Sequence, residues 1–371
     1  MSAIRNSLLA FVAVAVLASI GPVARANDKT PHASTSKPSV ARSGTPDICP
    51  LRDIRSSEQS GLSWLTLTET FQGQPPVKPS TGAVTISKVQ LQGVYLGSAF
   101  ATTNAATVTT LEAYLKYLAG SPYVTALSPY GVVAGTAVTG KVINATLPLY
   151  AASSAYLLDS DIANYLATNI NNGTLVTPTA STVYVVYIEP GVAVDVGGGQ
   201  TSINAFLGYH NTGQFTNTKQ ATQTIYYAVL PFPGSPNPTP SSQGFSNAMD
   251  GLTAVTSHEV AESITDPDTV NGWQETLKET IAIKIFGWTL FKFTFLVPDE
   301  EIADVPLILN NYSSACYARL NGYLVQKVIA TDGVNMITPT GAVAAAAIKS
   351  SVSQPAKNSI QVMGATLSLP W

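Results

Sequence analysis

Two spacings of apolar residues take turns along residues 84 to 265. Val84, Ile86, Val89, Leu91 and Val94 fall at near-alternate positions up to Leu96, the period of a strand. Within Thr107 to Leu118 the period lengthens: Leu111, Leu115 and Leu118 recur at helical spacing, with Thr109 or Thr110 placed to cap. Ala137 to Leu149 reads as a second strand. Asp159 then caps a helix that carries Ile162, Leu166 and Ile170 and closes at Asn172-Gly173. Thr182 to Ile188 is an unbroken run of β-branched and aromatic residues, the pattern of a buried strand. Ala205 to His210 and Thr224 to Phe232 are two more strands. A Pro/Ser/Asn loop, Pro233 to Gln243, leads to a helix from about Ser246 to Ile264. This order predicts an α+β fold around one mixed β-sheet with a late helix. No internal repeat is present.

Thr280 to Val297 alternates strictly, with Ile281, Ile283, Ile285, Phe291, Phe293 and Phe295 on one side and Gly287 near a turn. Lys284 and Lys292 interrupt it and its period is two, so it predicts a β-hairpin insertion over about 280–297 rather than a spanning helix. Such a hairpin either packs on the domain as core, or serves as a flap over a cleft or an edge that touches lipid or docks a partner. At the other end of the chain, Arg5 precedes the apolar run Leu8 to Ile20, Gly21-Pro22 breaks it, and Ala24-Arg25-Ala26 fits the small-x-small cleavage rule. Residues 1–26 therefore read as a signal peptide, which implies a secreted, extracellular or periplasmic protein with no transmembrane segment after signal removal. Residues 27–80 are rich in Ser, Thr, Pro, Lys and Gly and read as a flexible leader or prosegment, with one amphipathic patch from Gly61 to Phe71. Residues 81–371 remain as a single domain, long enough for a substantial core.

Composition narrows the function. Of 371 residues, 45% are apolar and only 11% charged, with Lys plus Arg at 19 and Asp plus Glu at 22. A net charge of −3 offers no basic stripe for phosphates, which argues against nucleic acid as a partner. Two cysteines exclude a disulfide-dense scaffold and a cysteine-rich zinc ribbon. Cys49 in the leader and Cys316 far downstream leave a single bridge open, with no sequence signal that their Cβ atoms meet. Asn144, Asn172 and Asn311 head Asn-x-Ser/Thr sequons, which matter only in a glycosylating host. Gly197-Gly198-Gly199 lacks the context of a phosphate loop, and no Gly-x-Ser-x-Gly supports a serine nucleophile.

The late helix carries the chemistry. His258 and Glu262 are four residues apart, so both project from one face and can share a metal ion, while Glu259 lies one step round the helix, where a carboxylate can take a proton from activated water. This is the spacing of the zinc motif His-Glu-x-x-His with Glu in the second ligand position. With three His and ten Glu in the chain, composition alone produces a His-Glu-x-x-Glu about 0.002 times. A third protein ligand comes either from Asp266, two turns on, or from the acidic cluster Pro298 to Asp304. Ten of the 22 carboxylates lie between Glu259 and Asp304, a crowding that fits either a bound cation or a solvated loop. His210, the other His of the body, reads as an oxyanion donor, an extra ligand or a satisfied polar residue at a strand end.

The run His258-Glu259-x-x-Glu262-x-x-x-Asp266-Pro267, followed by Trp273 and by Glu301-Ile302-Ala303-Asp304, resembles a family of secreted proteins. That family includes bacterial metallopeptidase-like chains and the plant phosphate-induced, exordium-like proteins. Val94-Tyr95-Leu96-Gly97 resembles its early strand, Tyr187 to Gly208-Tyr209-His210 its strand–loop ending in Gly-x-His, and Tyr227 to Gly234 its Tyr-Ala-Val-x-Pro-x-Pro-Gly edge. The likeness covers roughly Val84 to Thr331. It implies a zincin-like fold with Thr224 to Phe232 as an edge strand beside the cleft. It also implies His258 and Glu262 as metal ligands, Glu259 as base, and Glu301 or Asp304 as third ligand with the other in support. The chain departs from the family in the long segment Gln274 to Pro298 and in Val305-Pro306, which occupy the family's Cys position; Cys316 is the substitute that the chain offers.

Two carboxylates and one imidazole give a zinc ion a formally neutral ligand sphere, which acidifies water less than three imidazoles do and leaves more of the proton removal to Glu259. The oxygen-rich set also suits Ca2+ or Mn2+. The resulting expectation is a secreted zinc-dependent hydrolase, a peptidase, acting on a peptide or an extracellular or cell-wall polymer. The alternative is a non-catalytic extracellular binding or signalling protein of exordium-like type, in which the same ion is structural.

Overall fold

The structure, a computed structural model, describes residues 41–42, 46–50, 65–73, 84–216, 222–269, 271–285, 288–310, 312–344, 359–362 and 365–368. The signal-peptide reading of residues 1–26, most of the leader, the turn at Gly287 and the Asn311 sequon lie outside them. Strands β1 (Ala41–Arg42), β2 (Asp47–Pro50) and β3 (Leu65–Gln72) come from the segment read as leader. An alternating stretch follows: β4 (Gln90–Leu96), α1 (Ala105–Gly120), β5 (Thr136–Ile143), α2 (Asp159–Asn171) and β6 (Thr182–Ile188). Then come β7 (Phe206–Thr216), β8 (Thr222–Pro231) and α3 (Ala248–Thr265). The hairpin β9 (Gln274–Ile285) and β10 (Trp288–Glu301) leads to α4 (Asp304–Leu309), β11 (Tyr317–Leu320) and β12 (Tyr323–Gln326).

The fold is mixed α and β, and its main sheet is mixed in strand direction. In the order β5-β4-β6-β8-β7, the first four strands run parallel and β7 runs antiparallel to β8. β1 and β2 pair antiparallel along the outer edge of β7. Strand β6 shows why the sheet is covered on both faces. Val183, Val185 and Tyr187 join one apolar cluster with Leu111 and Leu115 of α1, whereas Tyr184, Val186 and Ile188 join another with Ile162 and Leu166 of α2. The period of two sends alternate residues to opposite layers, so a central strand reads as continuously apolar. Helix α3 shares the first layer through Leu252, Val255, Val260, Ala261 and Ile264. Among the described residues no helix is long and apolar enough to cross a membrane.

Several expectations change. Thr224 to Phe232 is not an edge strand: β8 lies between β6 and β7 and is buried from Ile225 to Pro231. One mixed sheet becomes a main sheet with further small ones, because the hairpin finds a third strand: β9 pairs with β10 on one side and with β3 on the other, so Ile281 sits opposite Phe293 and Ile283 opposite Phe291. Of the leader segments, β1 and β2 are too short to show a periodicity and pair on the open edge of β7, whereas β3 alternates through Leu65, Leu67 and Phe71 within the amphipathic patch and pairs on the open edge of β9. The first predicted strand is shorter, since Val84 to Val89 is irregular before β4. Asn104 occupies the N-cap position of α1 with no side-chain capping bond, and Thr109 and Thr110 lie inside the helix, their hydroxyls donating one turn back to Ala105 and Ala106. Asp159 is the first helical residue of α2, and the cap is closed by Asp161, whose carboxylate accepts the Leu158 N–H at 3.1 Å.

Asp159 has another task. It is buried, and its Oδ1 accepts the hydroxyls of Tyr209 at 2.8 Å and Tyr227 at 3.0 Å while Oδ2 accepts Asn211 Nδ2 at 3.3 Å. One carboxylate thus pins neighbouring positions of β7 and β8 to α2, and the alternation of β7 turns Gly208 and His210 the other way, toward α3. Asp159→Ala leaves two buried phenols and an amide without that acceptor. The expected loss of unfolding free energy in urea is about 3 kcal/mol, with Asp159→Asn, which keeps an acceptor, losing less.

Candidate metal centre

Helix α3 is buried along Asp250 to Thr265, although eight of its residues between Thr253 and Thr265 are polar or charged. Its backbone and hydroxyls are held by tyrosines from the surrounding layers. Tyr114 donates to the Thr253 carbonyl at 2.7 Å, Tyr123 to the Ser257 carbonyl at 2.9 Å, and Tyr187 meets Thr256 Oγ1 at 3.0 Å. At the helix start Asn247 accepts the Asp250 N–H, and Arg319 forks onto the Asp250 carboxylate at 2.9 and 2.7 Å. The helix end is fixed by Asp266, whose carboxylate accepts Gly272 N–H at 2.7 Å and Gln274 Nε2 at 3.0 Å. Asp266 therefore anchors the chain reversal into β9. Burial, reinforced by Asp268, pushes its carboxyl up to about 6.

On this helix His258 Nε2 lies 3.0 Å from Glu262 Oε2, the one-turn pairing the spacing predicts. Asp304, at the start of α4, brings Oδ1 to 3.5 Å from the same Nε2. Ligand atoms of His258, Glu262 and Asp304 all lie within 4.8 Å of one another, and all three residues are buried. Two ligands on one zinc ion stand about 3.5 Å apart when each bond is about 2.1 Å, so the observed separations suit a single small cation. On the opposite side of His258, the Gln326 amide nitrogen from β12 is 2.8 Å from Nδ1 and donates to the Ala303 carbonyl at 2.6 Å. The amide nitrogen can only donate, so Nδ1 accepts and the His258 proton lies on Nε2, facing Glu262. An ion on Nε2 would require the amide to present its oxygen to Nδ1 instead, and in either orientation this side chain stands between the imidazole and the loop that carries Asp304.

Glu301 takes a different neighbour. Its Oε1 is 3.6 Å from His210 Nε2, and His210, Glu262 and Glu301 form a second convergent group within 4.8 Å that shares Glu262 with the first. His210 Nε2 also approaches the Asp266 carbonyl at 3.1 Å, so that nitrogen carries the proton and Nδ1 keeps the lone pair. Nδ1 is buried, makes no hydrogen bond, and faces Glu259 Oε2 at 3.6 Å and Glu262 Oε2 at 3.8 Å. Burial lowers the His210 pKa to about 4, with His258 adding to the shift, so the ring is neutral near pH 7. A neutral lone pair aimed at carboxylate oxygens is repulsive unless a proton or a cation sits between them. The donor set therefore fits a divalent ion: two imidazoles and four carboxylates, all buried, with a bare ring nitrogen turned inward.

Cys49 and Cys316 are both buried and both free, so no disulfide joins them. Cys316 donates to the Pro306 carbonyl at 3.2 Å. Cys49, on β2, lies instead at the centre: its Sγ and ligand atoms of His258 and Glu259 fall within 4.8 Å of one another. Burial pushes its thiol up, and the nearby charges of Glu259, Asp304 and Glu262 push it further. Sequence reasoning missed this thiol and Gln326, because neither belongs to a motif and each is delivered by strand pairing.

Space at the site is set by Gly208. A Cβ there would stand 2.8 Å from Glu259 Oε1 and 2.6 Å from Val255 Cγ1. Only a residue without a side chain lets β7 run this close beneath the Glu259 carboxylate. Gly208→Val should lower unfolding stability in guanidinium chloride by about 1–3 kcal/mol through overpacking against α3.

No protein-family model matches the chain, and no curated protein or solved structure matches it significantly.

Proposed function

We propose that the chain is a secreted metal-dependent hydrolase of the peptidase class, in which His258, Glu262 and Asp304 hold a divalent ion and Glu259 is the general base. The observation that carries this reading is the meeting of an i,i+4 His–Glu pair with an acid from a loop some forty residues away, all buried within ligand reach. Zinc suits the imidazole, and Mn2+ or Ca2+ suit the oxygens. When bound, such an ion polarises a carbonyl and makes water a better nucleophile.

The side chains divide the remaining work. Glu259 is displaced round the helix from the His258–Glu262 face, which places it to take a proton from the attacking water and return it to the leaving amine. Gln326 fixes the plane of His258. His210, tethered through Nε2 to the Asp266 carbonyl, points a neutral nitrogen at Glu259 and Glu262 and can complete the ligand set. Burial of all these groups keeps bulk water from screening them. Peptide substrates are favoured because β7, the outermost long strand beside α3, pairs with extended chain along the edge that carries Gly208 and His210. Burial also supports a second reading, a closed structural ion in a non-catalytic protein, since structural sites leave no open position.

Metal analysis of the purified full chain should give one divalent ion, lost in His258→Ala and Glu262→Gln. Glu259→Gln should keep that ion and lower peptide hydrolysis by roughly 10²–10⁴-fold. A chain that binds no divalent ion would overturn the proposal. Ion retention with hydrolysis unchanged in Glu259→Gln would remove the mechanism.

A further inference from the structure

Residues 47–50 occupy the edge of β7 where an extended peptide would add as a strand. Asp47 pairs with His210, Ile48 with Tyr209 and Cys49 with Gly208, antiparallel, with a bulge between Phe206 and Gly208. Side chains directly opposite each other in an antiparallel pair project to the same face of the sheet. The missing Cβ of Gly208 faces Glu259 and Val255, so the side chain of Cys49 is carried toward α3 as well. Its Sγ accordingly meets His258 and Glu259 within 4.8 Å, both residues of the hydrolytic set, and Cys49 is only 2% exposed. His210 Nδ1, buried and without a hydrogen bond, faces the same Glu259 carboxylate at 3.6 Å.

From this juxtaposition we infer that Cys49 is an additional, blocking ligand of the metal centre, seated by a leader strand that lies in the place of a peptide substrate. The inference rests on the hydrolase reading and adds its regulation. The balance is simple: the Cys49 S–H bond breaks, the thiolate binds the ion held by His258, and the proton passes to the Glu259 carboxylate. No oxidant or reductant takes part. The thiolate fills the position that water needs, and the protonated Glu259 can no longer act as base. The closed appearance of the site then follows from occupation by the chain's own leader, and the site opens when residues 47–50 leave the β7 edge.

Cobalt substitution of the full chain tests coordination without reference to turnover. Co2+ bound through Cys49 should show a near-ultraviolet thiolate-to-cobalt charge-transfer band. The band should persist in Cys316→Ser and vanish in Cys49→Ser, while His258-dependent Co2+ binding is kept. In the zinc form, Cys49→Ser, which removes the blocking ligand, should raise peptide hydrolysis by roughly tenfold or more. Co2+ bound by the wild-type chain with no charge-transfer band overturns this inference and leaves the metal centre standing. Loss of the band in Cys49→Ser without a rise in hydrolysis overturns the blocking role. Failure of the chain to take up Co2+ at all overturns both.

Discussion

Withdrawal of a polar helix from water is the constraint on which the rest of this structure depends. From Asp250 to Thr265 every residue of α3 is buried, including His258, Glu259 and Glu262. Burying such groups costs several kcal/mol each unless they are hydrogen-bonded, paired or bound to an ion. The surrounding layers answer with hydroxyls: Tyr114, Tyr123 and Tyr187 reach α3 from α1, from the segment after it and from β6. The abundance of tyrosine in a chain with few charges has a structural use here, because a phenol brings an apolar ring and a polar tip on one side chain. Two imidazoles and four carboxylates converge near the same turn of α3, a donor set that fits a divalent cation.

The sheet and the helix cooperate to build that pocket. Asp159, on the far side of the sheet, locks Tyr209 and Tyr227, and through the alternation of β7 it sets the direction of Gly208 and His210. Gly208 then permits the close approach of β7 to Glu259, and Asp266 holds both the His210 ring and the turn toward the hairpin. The chain between Asp266 and Asp304 leaves in β9 and returns in β10. The long insertion therefore brings Glu301 and Asp304 back to the helix it started from, rather than carrying them away. Trp288, at the start of β10, is 78% exposed.

The position of the leader changes how the site is understood. By composition residues 27–80 read as a flexible segment, polar and, apart from the amphipathic patch Gly61 to Phe71, weak in periodicity. Strand pairing is a property of two partners, however, and an edge with free N–H and C=O groups can order a segment that has little pattern of its own. β1 and β2 cover β7, and β3 covers β9. The covered edge of β7 is the one beside α3, which links the leader to the chemistry and not merely to the sheet.

What the sequence determined by itself is what local geometry dictates. The 3.6-residue period places His258 and Glu262 on one face and Glu259 beside them, and the period of two draws β6 and the hairpin, in each case without reference to the rest of the chain. The acidic cluster Pro298 to Asp304 and Asp266 are both legible as candidates for a third ligand, and there local reasoning ends. Only the tertiary structure assigns Asp304 to His258 and Glu301 to His210, because the choice turns on where β10 stops and α4 begins against β12. It alone brings in Gln326 and Cys49, and it moves β8 from the edge to the interior of the sheet. Strand order, register and the return of distant loops are settled by packing between elements, and no spacing along the chain encodes them.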